Sequence, residues 1–266
     1  MPYPKKSLGQ NFLIDQNIIN KIIFLEKINK NNIIEIGPGT GNLTRQIIKY
    51  NPKSLTLIEK DSKLCEELKK NIKFDGKLEI FNNDILKFDL EKKEKSNSII
   101  FGNLPYNIST QILVKLIKFK KWPPKYNKLI FMFQKEVAER ILANYNTRNY
   151  GRLSVISNFR LKVLNSFNVS KNCFFPKPKI DSTVLLFQPI NNKSYVIKDI
   201  ENLEKVTQLF FSNKRKMINK NFKKLFNDNL DLSKRLKLDL SFRPNQISNS
   251  QYYKMAQYYE MSIKEN

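Results

Sequence analysis

A short apolar strand running straight into three alternating glycines leaves few folds open to this chain. The segment is Ile33-Ile34-Glu35-Ile36-Gly37-Pro38-Gly39-Thr40-Gly41. Glycine permits positive φ and lets a ligand lie on the backbone without meeting a Cβ. At the carboxyl end of a parallel strand, just before a helix, such a turn is a bed for a nucleotide or cofactor. The chain has only seven glycines and spends three of them here, so the turn is not a by-product of composition.

The flanking pattern supports a layered α/β fold. Asn32 to Ile36 and Ser54 to Glu59 read as strands, with a helix between them from Asn42 to Tyr50. Asp61 is placed to cap a helix running through Ile72. Further strands are expected at Leu78 to Phe81, Ser98 to Gly102 and Lys128 to Phe133, with helices at Ser109 to Lys118 and Lys135 to Asn144. That rhythm predicts a mostly parallel sheet with helices on both faces. Two more strand-like runs lie at Leu153 to Phe159 and Ser182 to Phe187. Beyond Pro189 the texture turns helical, and Ile200, Leu203, Val206, Leu209 and Phe210 share a helical face. A boundary near residue 190 is expected, giving a sheet domain over 1–190 and a small all-helical domain over 191–266.

Glu59 ends the second strand, 20 residues after Gly39. A carboxylate there accepts from both hydroxyls of a ribose, as in dinucleotide folds. The spacing is G-x-G-x-G, with no basic phosphate-binding residue after it, which favours a cofactor without phosphates. S-adenosylmethionine fits: an adenosine with free ribose hydroxyls and a zwitterionic methionine tail. Asp84, at the end of the next strand, is expected to accept from the adenine amino group.

The run Phe101-Gly102-Asn103-Leu104-Pro105-Tyr106-Asn107 follows an apolar strand and precedes a helix. It therefore shares an edge with the glycine turn. An aromatic amine is a poor nucleophile because its lone pair is delocalised into the ring. Two acceptors, each taking one N–H, hold the nitrogen nearer tetrahedral geometry with its lone pair aimed outward. The Asn103 side-chain oxygen and the Leu104 carbonyl are candidates for that pair. Pro105 stiffens the turn and disfavours helix at Leu104. Tyr106 offers a ring for a base to stack on, worth about 1–3 kcal/mol.

Composition bounds the partners. Lys+Arg is 48 against Asp+Glu 24, a net charge of +24, which favours a polyanionic partner, nucleic acid or an anionic membrane surface. The abundance of Lys, Asn and Ile also bears the stamp of AT-rich codons, so part of the lysine excess is compositional. With no histidine and two cysteines, zinc sites, histidine acid–base chemistry and disulfide frameworks are excluded. No metal is expected. No apolar run reaches spanning length and no signal peptide is evident, so a soluble, cytoplasmic protein is expected.

Asn103-Leu104-Pro105-Tyr106 matches the N-x-P-Y motif of adenine amino-methyltransferases. Together with Leu8-Gly9-Gln10-Asn11-Phe12-Leu13, Glu35 to Gly39, Tyr150-Gly151-Arg152-Leu153-Ser154 and Phe174-Phe175-Pro176-Lys177-Pro178-Lys179-Ile180-Asp181-Ser182, it resembles the ribosomal-RNA small-subunit adenine dimethyltransferase family. The resemblance implies a Rossmann-like methyltransferase sheet followed by a small helical domain. It implies as substrate two adjacent adenosines near the 3′ end of small-subunit rRNA, free or in an immature subunit, and the enzyme is expected to act as a monomer. By motif, Asn11 and Leu13 would touch the cofactor from an N-terminal arm, Gly37 and Gly39 would line its bed, Glu59 would hold the ribose and Asp84 the adenine. Asn103 would sit where cofactor and target base meet. Leu8 departs from the phenylalanine usual before Gly-Gln-Asn-Phe. Phe174 is the candidate for a second aromatic clamp on a flipped base.

Lys214, Arg215, Lys216, Lys220, Lys223 and Lys224 crowd one stretch of the helical region. Met217, Ile218, Phe222, Leu225 and Phe226 interleave at helical spacing, so one face is expected to pack and the other to bind RNA phosphates. Lys118, Lys120 and Lys121 are expected to extend that surface. Two other readings stay open at this point: an antibiotic-resistance type of methyltransferase acting on large-subunit rRNA, and a nucleic-acid-binding relative without catalysis.

Overall fold

The computed structural model describes residues 4, 5, 8–227 and 229–264. The strands are β1 (Phe12–Leu13), β2 (Asn32–Ile36), β3 (Ser54–Glu59), β4 (Lys77–Asn82), β5 (Ser98–Asn103), β6 (Tyr126–Gln134), β7 (Leu161–Val169), β8 (Phe174–Phe175) and β9 (Ser182–Pro189). The helices are α1 (Gln16–Ile23), α2 (Asn42–Ile48), α3 (Ser62–Asn71), α4 (Leu90–Lys93), α5 (Ser109–Ile117), α6 (Lys135–Leu142), α7 (Arg152–Arg160), α8 (Ile200–Phe211), α9 (Asn219–Phe226), α10 (Leu230–Arg235) and α11 (Asn249–Lys264).

Seven strands form one sheet in the order β4-β3-β2-β5-β6-β9-β7. From β4 to β6 the neighbours are parallel, and β9 pairs antiparallel with β6. The central strands are buried along almost their whole length, which is why they read as near-continuous Ile, Leu and Phe runs. From β2 the chain winds outward to β3 and β4, then returns to add β5 and β6 on the other side. Right-handed crossovers therefore put α2 and α3 on one face and α5 on the other. The reversal of strand order between β2 and β5 opens a crevice at their carboxyl ends, where α/β sheets bind ligands. A separate antiparallel pair, β1 with β8, registers Phe12 with Phe175 and Leu13 with Phe174.

Contacts divide the chain into two compact units, Met1–Ala138 with Val163–Pro189, and Glu139–Lys162 with Ile190–Asn266. The expected single break near residue 190 is thus corrected to three borders. The cause is the segment around α7, expected as a strand from Leu153 to Phe159 and found as a helix. Its Tyr150, Val155 and Phe159 join Leu203, Val206, Phe210, Tyr252 and Met255 in the core of the helical unit. Six of the nine residues of α7 are buried, four of them consecutive, and a short run buried all round carries no periodicity that separates helix from strand. α8 starts as expected, with Asp199 accepting from the Glu201 N–H as its cap.

Candidate active site

The glycine turn has the backbone that its sequence requires. Gly37, Gly39 and Gly41 have φ of 67°, 58° and 78°. A Cβ on Gly39 would stand 2.9 Å from the Phe12 ring, a distance no side chain tolerates. This close approach seats the N-terminal arm against the turn. The Leu13 carbonyl accepts from Asn42 Nδ2 at 2.8 Å and the Asn11 carbonyl from Asn103 Nδ2 at 3.1 Å, so the arm is tied to α2 and to β5.

Between these parts lies one cavity. Asn11, Leu13, Gly37, Gly39, Glu59, Asp84, Asn103, Leu104, Pro105 and Tyr106 all line it. These residues come from the arm and from the carboxyl ends of β2, β3, β4 and β5, the position the topology predicts.

Glu59 is buried, with Oε1 accepting from the Asp61 N–H at 2.8 Å and Oε2 from the Gly39 N–H at 3.1 Å. Burial pushes its pKa up, and the backbone donors pull against that. Each oxygen keeps a second lone pair for a ligand hydroxyl. Asp84 accepts from the Leu86 N–H at 2.9 Å and pairs with Lys60 Nζ at 2.8 Å. The Lys60 bond holds the Asp84 carboxyl below its ordinary value.

Asn103 has given its amide nitrogen to the arm. The side-chain oxygen is the amide atom left to accept a hydrogen bond. Tyr106 is half-buried, its hydroxyl 2.6 Å from Ser182 Oγ, which fixes one end of the ring. The Pro105 carbonyl accepts from the Ile108 and Ser109 N–H groups, closing the turn into α5.

Phe174 requires a correction. Its ring is 3% exposed and belongs to the core cluster with Leu13, while Phe175 beside it is 46% exposed. In this conformation Phe174 is not open to a base, because the pleat of β8 turns the first of the two phenylalanines inward. Met217 is likewise 54% exposed instead of packed, whereas Ile218 and Phe222 are buried as expected. Lys214, Arg215, Lys216, Lys220, Lys223 and Lys224 are all exposed, the last three on α9.

Sequence reasoning missed two charged neighbours of the cavity, Lys60 and Glu35. Among the described residues Lys60 is the sole basic one lining it, and its ammonium is committed to Asp84. Glu35 is 2% exposed, with Oε2 accepting from Thr44 Oγ1 at 2.6 Å. Burial pushes its pKa up to about 7, against the Thr44 bond. An acid inside an apolar strand was the available signal.

With this geometry in view, the comparisons with known proteins converge. A family model described as ribosomal RNA adenine dimethylase matches residues 3–261. The chain belongs to the ribosomal RNA adenine dimethylase family. It is 44% identical over 256 residues to the ribosomal RNA small subunit methyltransferase A of Pelagibacter ubique, spanning 96% of this chain and 97% of the relative. It is 37% identical over 258 residues to the protein of the same name from Francisella tularensis subsp. novicida, again spanning 96% and 97%. A crystal structure of a dimethyladenosine transferase from Plasmodium falciparum superposes with a TM-score of 0.78 at 28% identity, covering 94% of this chain and 98% of that one. The 23S rRNA methyltransferase ErmE superposes at 0.68 with 20% identity, over 94% and 99%, a likeness of fold alone. The expected family and the Rossmann-like fold class hold, and with them the enzyme class: a methyltransferase of ribosomal RNA adenines.

Proposed function

We propose that this dimethylase transfers methyl groups from S-adenosylmethionine to the exocyclic amino groups of two adjacent adenosines near the 3′ end of small-subunit rRNA, in small-subunit assembly. One observation carries the reading: the residues chosen from sequence for cofactor and target, Phe174 excepted, line a single cavity at the switch point of the sheet. The small-subunit relatives, matched nearly end to end, support the choice of RNA.

The donor set suits this cofactor. Glu35, Glu59 and Asp84 line the cavity, and the one basic residue among its described lining is already paired. A phosphate-bearing ligand would find no unpaired cation in that described lining, whereas an adenosine with a cationic tail meets acceptors. Glu59 would hold the ribose hydroxyls, Asp84 the adenine amino group, and Gly37, Gly39, Asn11 and Leu13 the remaining surface. S-adenosylmethionine supplies, when bound, a methyl group made electrophilic by a sulfonium.

The chain's own contribution is orientation. Asn103 Oδ1 and the Leu104 carbonyl each take one N–H of the target amine, drawing its lone pair out of conjugation. Both contacts strengthen as the nitrogen becomes cationic, which is the differential binding catalysis needs. Tyr106 stacks on the base, with its ring steadied through Ser182. The exposed cations of 214–224 hold RNA phosphates.

Single-turnover methyl transfer to purified, unmodified small subunits and, in parallel, to large subunits tests the reading, with primer extension to locate the product. Dimethylation of two neighbouring adenosines near the 3′ end is expected. Modification of large-subunit RNA instead, or none, overturns it.

A further inference from the structure

The N-terminal arm is fastened at a side chain that the mechanism above does not use. Asp61 follows Glu59 by two residues and caps α3, accepting from the Lys63 N–H at 3.1 Å. Capping needs one carboxylate oxygen. Asp61 engages both: Oδ1 also pairs with Lys5 Nζ at 2.8 Å, and Oδ2 accepts from Gln10 Nε2 at 3.0 Å. Gln10 Oε1 in turn accepts from the Lys5 N–H at 2.7 Å, so the three residues close a ring of hydrogen bonds. The Asp61 side chain is only 3% exposed. Burial pushes its pKa up, but Lys5, Gln10 and the Lys63 N–H outweigh it and hold the carboxyl below its ordinary value.

Two consequences meet at this residue. The arm residues from Gln10 to Leu13 line the cavity, and they are strapped at one end by Asp61 and at the other by Asn103 and Asn42. The Asp61 N–H also donates to Glu59 Oε1, whose partner oxygen holds Gly39. A helix cap alone explains neither the ion pair nor the glutamine.

We propose that Asp61 is a positioning residue that latches the N-terminal arm across the cavity and thereby sets how fast the cofactor leaves. A ligand lying beneath Gln10 to Leu13 departs only when the strap lifts, and lifting it off Asp61 breaks the charge-assisted Lys5 pair and the Gln10 hydrogen bond. Arrival needs molecules already open and departure needs the strap to open, so the latch slows both rates. The proposal rests on the cavity taking S-adenosylmethionine.

Lys5→Met combined with Gln10→Ala removes the strap and leaves the α3 cap, the Asp61 N–H and Glu59 intact. Dissociation of radiolabelled S-adenosylmethionine from the full chain, chased with unlabelled cofactor, is the readout. It is expected to quicken by about tenfold, the loss set by charged hydrogen bonds, and association quickens with it. Equilibrium affinity for the cofactor changes far less than either rate. Asp61→Asn, which keeps a good capping residue, quickens dissociation as well, and Lys5→Arg restores the wild-type rate. Added salt speeds release from the wild type but not from Lys5→Met. Wild-type binding with unchanged release from the double variant overturns the latch and leaves Asp61 a helix cap. Failure of the wild type to bind S-adenosylmethionine overturns the latch together with the reading beneath it.

Discussion

Glu35→Gln is a test of electrostatics in the centre of the sheet. Glu35 sits on β2 with 2% exposure and one short bond to Thr44 Oγ1. Burial, helped by the neighbouring Glu59 charge, pushes its pKa to about 7 from an ordinary 4.5. Between those values the folded protein keeps a proton that the unfolded chain has released. The unfolded chain binds fewer protons there, so stability falls as pH rises through the window. At about 1.36 kcal/mol per pH unit, the interval amounts to roughly 3 kcal/mol, fully present below pH ~4.5 and gone above pH ~7. Glutamine keeps an acceptor for Thr44 and has no proton to lose. Urea unfolding of both proteins at half-unit steps between pH 5 and 8 measures the effect, since other titrating groups are shared and largely cancel. The wild-type stability, taken relative to the variant, is expected to decline by most of that amount up to pH ~7 and then level off. A flat difference would mean the carboxyl ionises freely in the fold, and the burial argument fails. A bound sulfonium favours the charged carboxylate, so cofactor binding below that pH is expected to release a proton, visible by calorimetry in buffers of different ionisation enthalpy.

Three further outcomes follow from the same site. Glu59→Ala is expected to weaken S-adenosylmethionine binding by about 1.5–3 kcal/mol while the fold survives, and unchanged affinity by calorimetry would remove the ribose assignment. Asn103→Ala removes one acceptor for the target amine and is expected to cost roughly 10²–10³ in single-turnover rate; a loss matched by cofactor affinity would make Asn103 a binding residue only. Neutralising Lys220, Lys223 and Lys224 is expected to lower the slope of log K against log salt for RNA binding by about 0.7–0.9 for each phosphate left without its cation. An unchanged slope would leave those lysines a solvated face.

The parts of the fold legible in the sequence are those with sharp local grammar. β2 and β3 can be read to the residue, because each is an apolar run bounded by a polar turn residue. α3 announces itself through its Asp61 cap. α7 reads wrongly as a strand because Val155, Ile156 and Phe159 sit in a segment buried on every side. β7 escapes notice because it lies at the sheet edge and is exposed along most of its length, which leaves no apolar run to find. The cavity is legible because backbone chemistry marks it: glycines where φ is positive, a proline after Leu104, acids at strand ends. What stays hidden is whatever depends on partners distant in sequence. Nothing near Gln10 announces a partner 51 residues away, and Lys5 reaches across 56. Phe174 and Phe175 are chemically identical neighbours, so only the pleat decides which one is inside.

The interrupted helical unit has a consequence for how the protein is made. Ribosomes deliver the chain from its N-terminus, and the sheet has received its last strand once Pro189 has emerged. The segment 139–162 emerges earlier, but the groups it bonds come roughly a hundred residues later: Tyr150 Oη donates to Asn249 Oδ1 at 2.6 Å, and Tyr253 Oη to the Val155 carbonyl at 3.2 Å. Tyr150, Val155 and Phe159 must wait, exposed, until α11 arrives. A nascent chain halted at residue 190 therefore carries Tyr150, Val155 and Phe159 without their core partners, and exposed apolar side chains of that kind promote aggregation. The helical unit cannot be supplied as a separate piece or exchanged by a cut at that point; its first instalment is already woven into the polypeptide that precedes it.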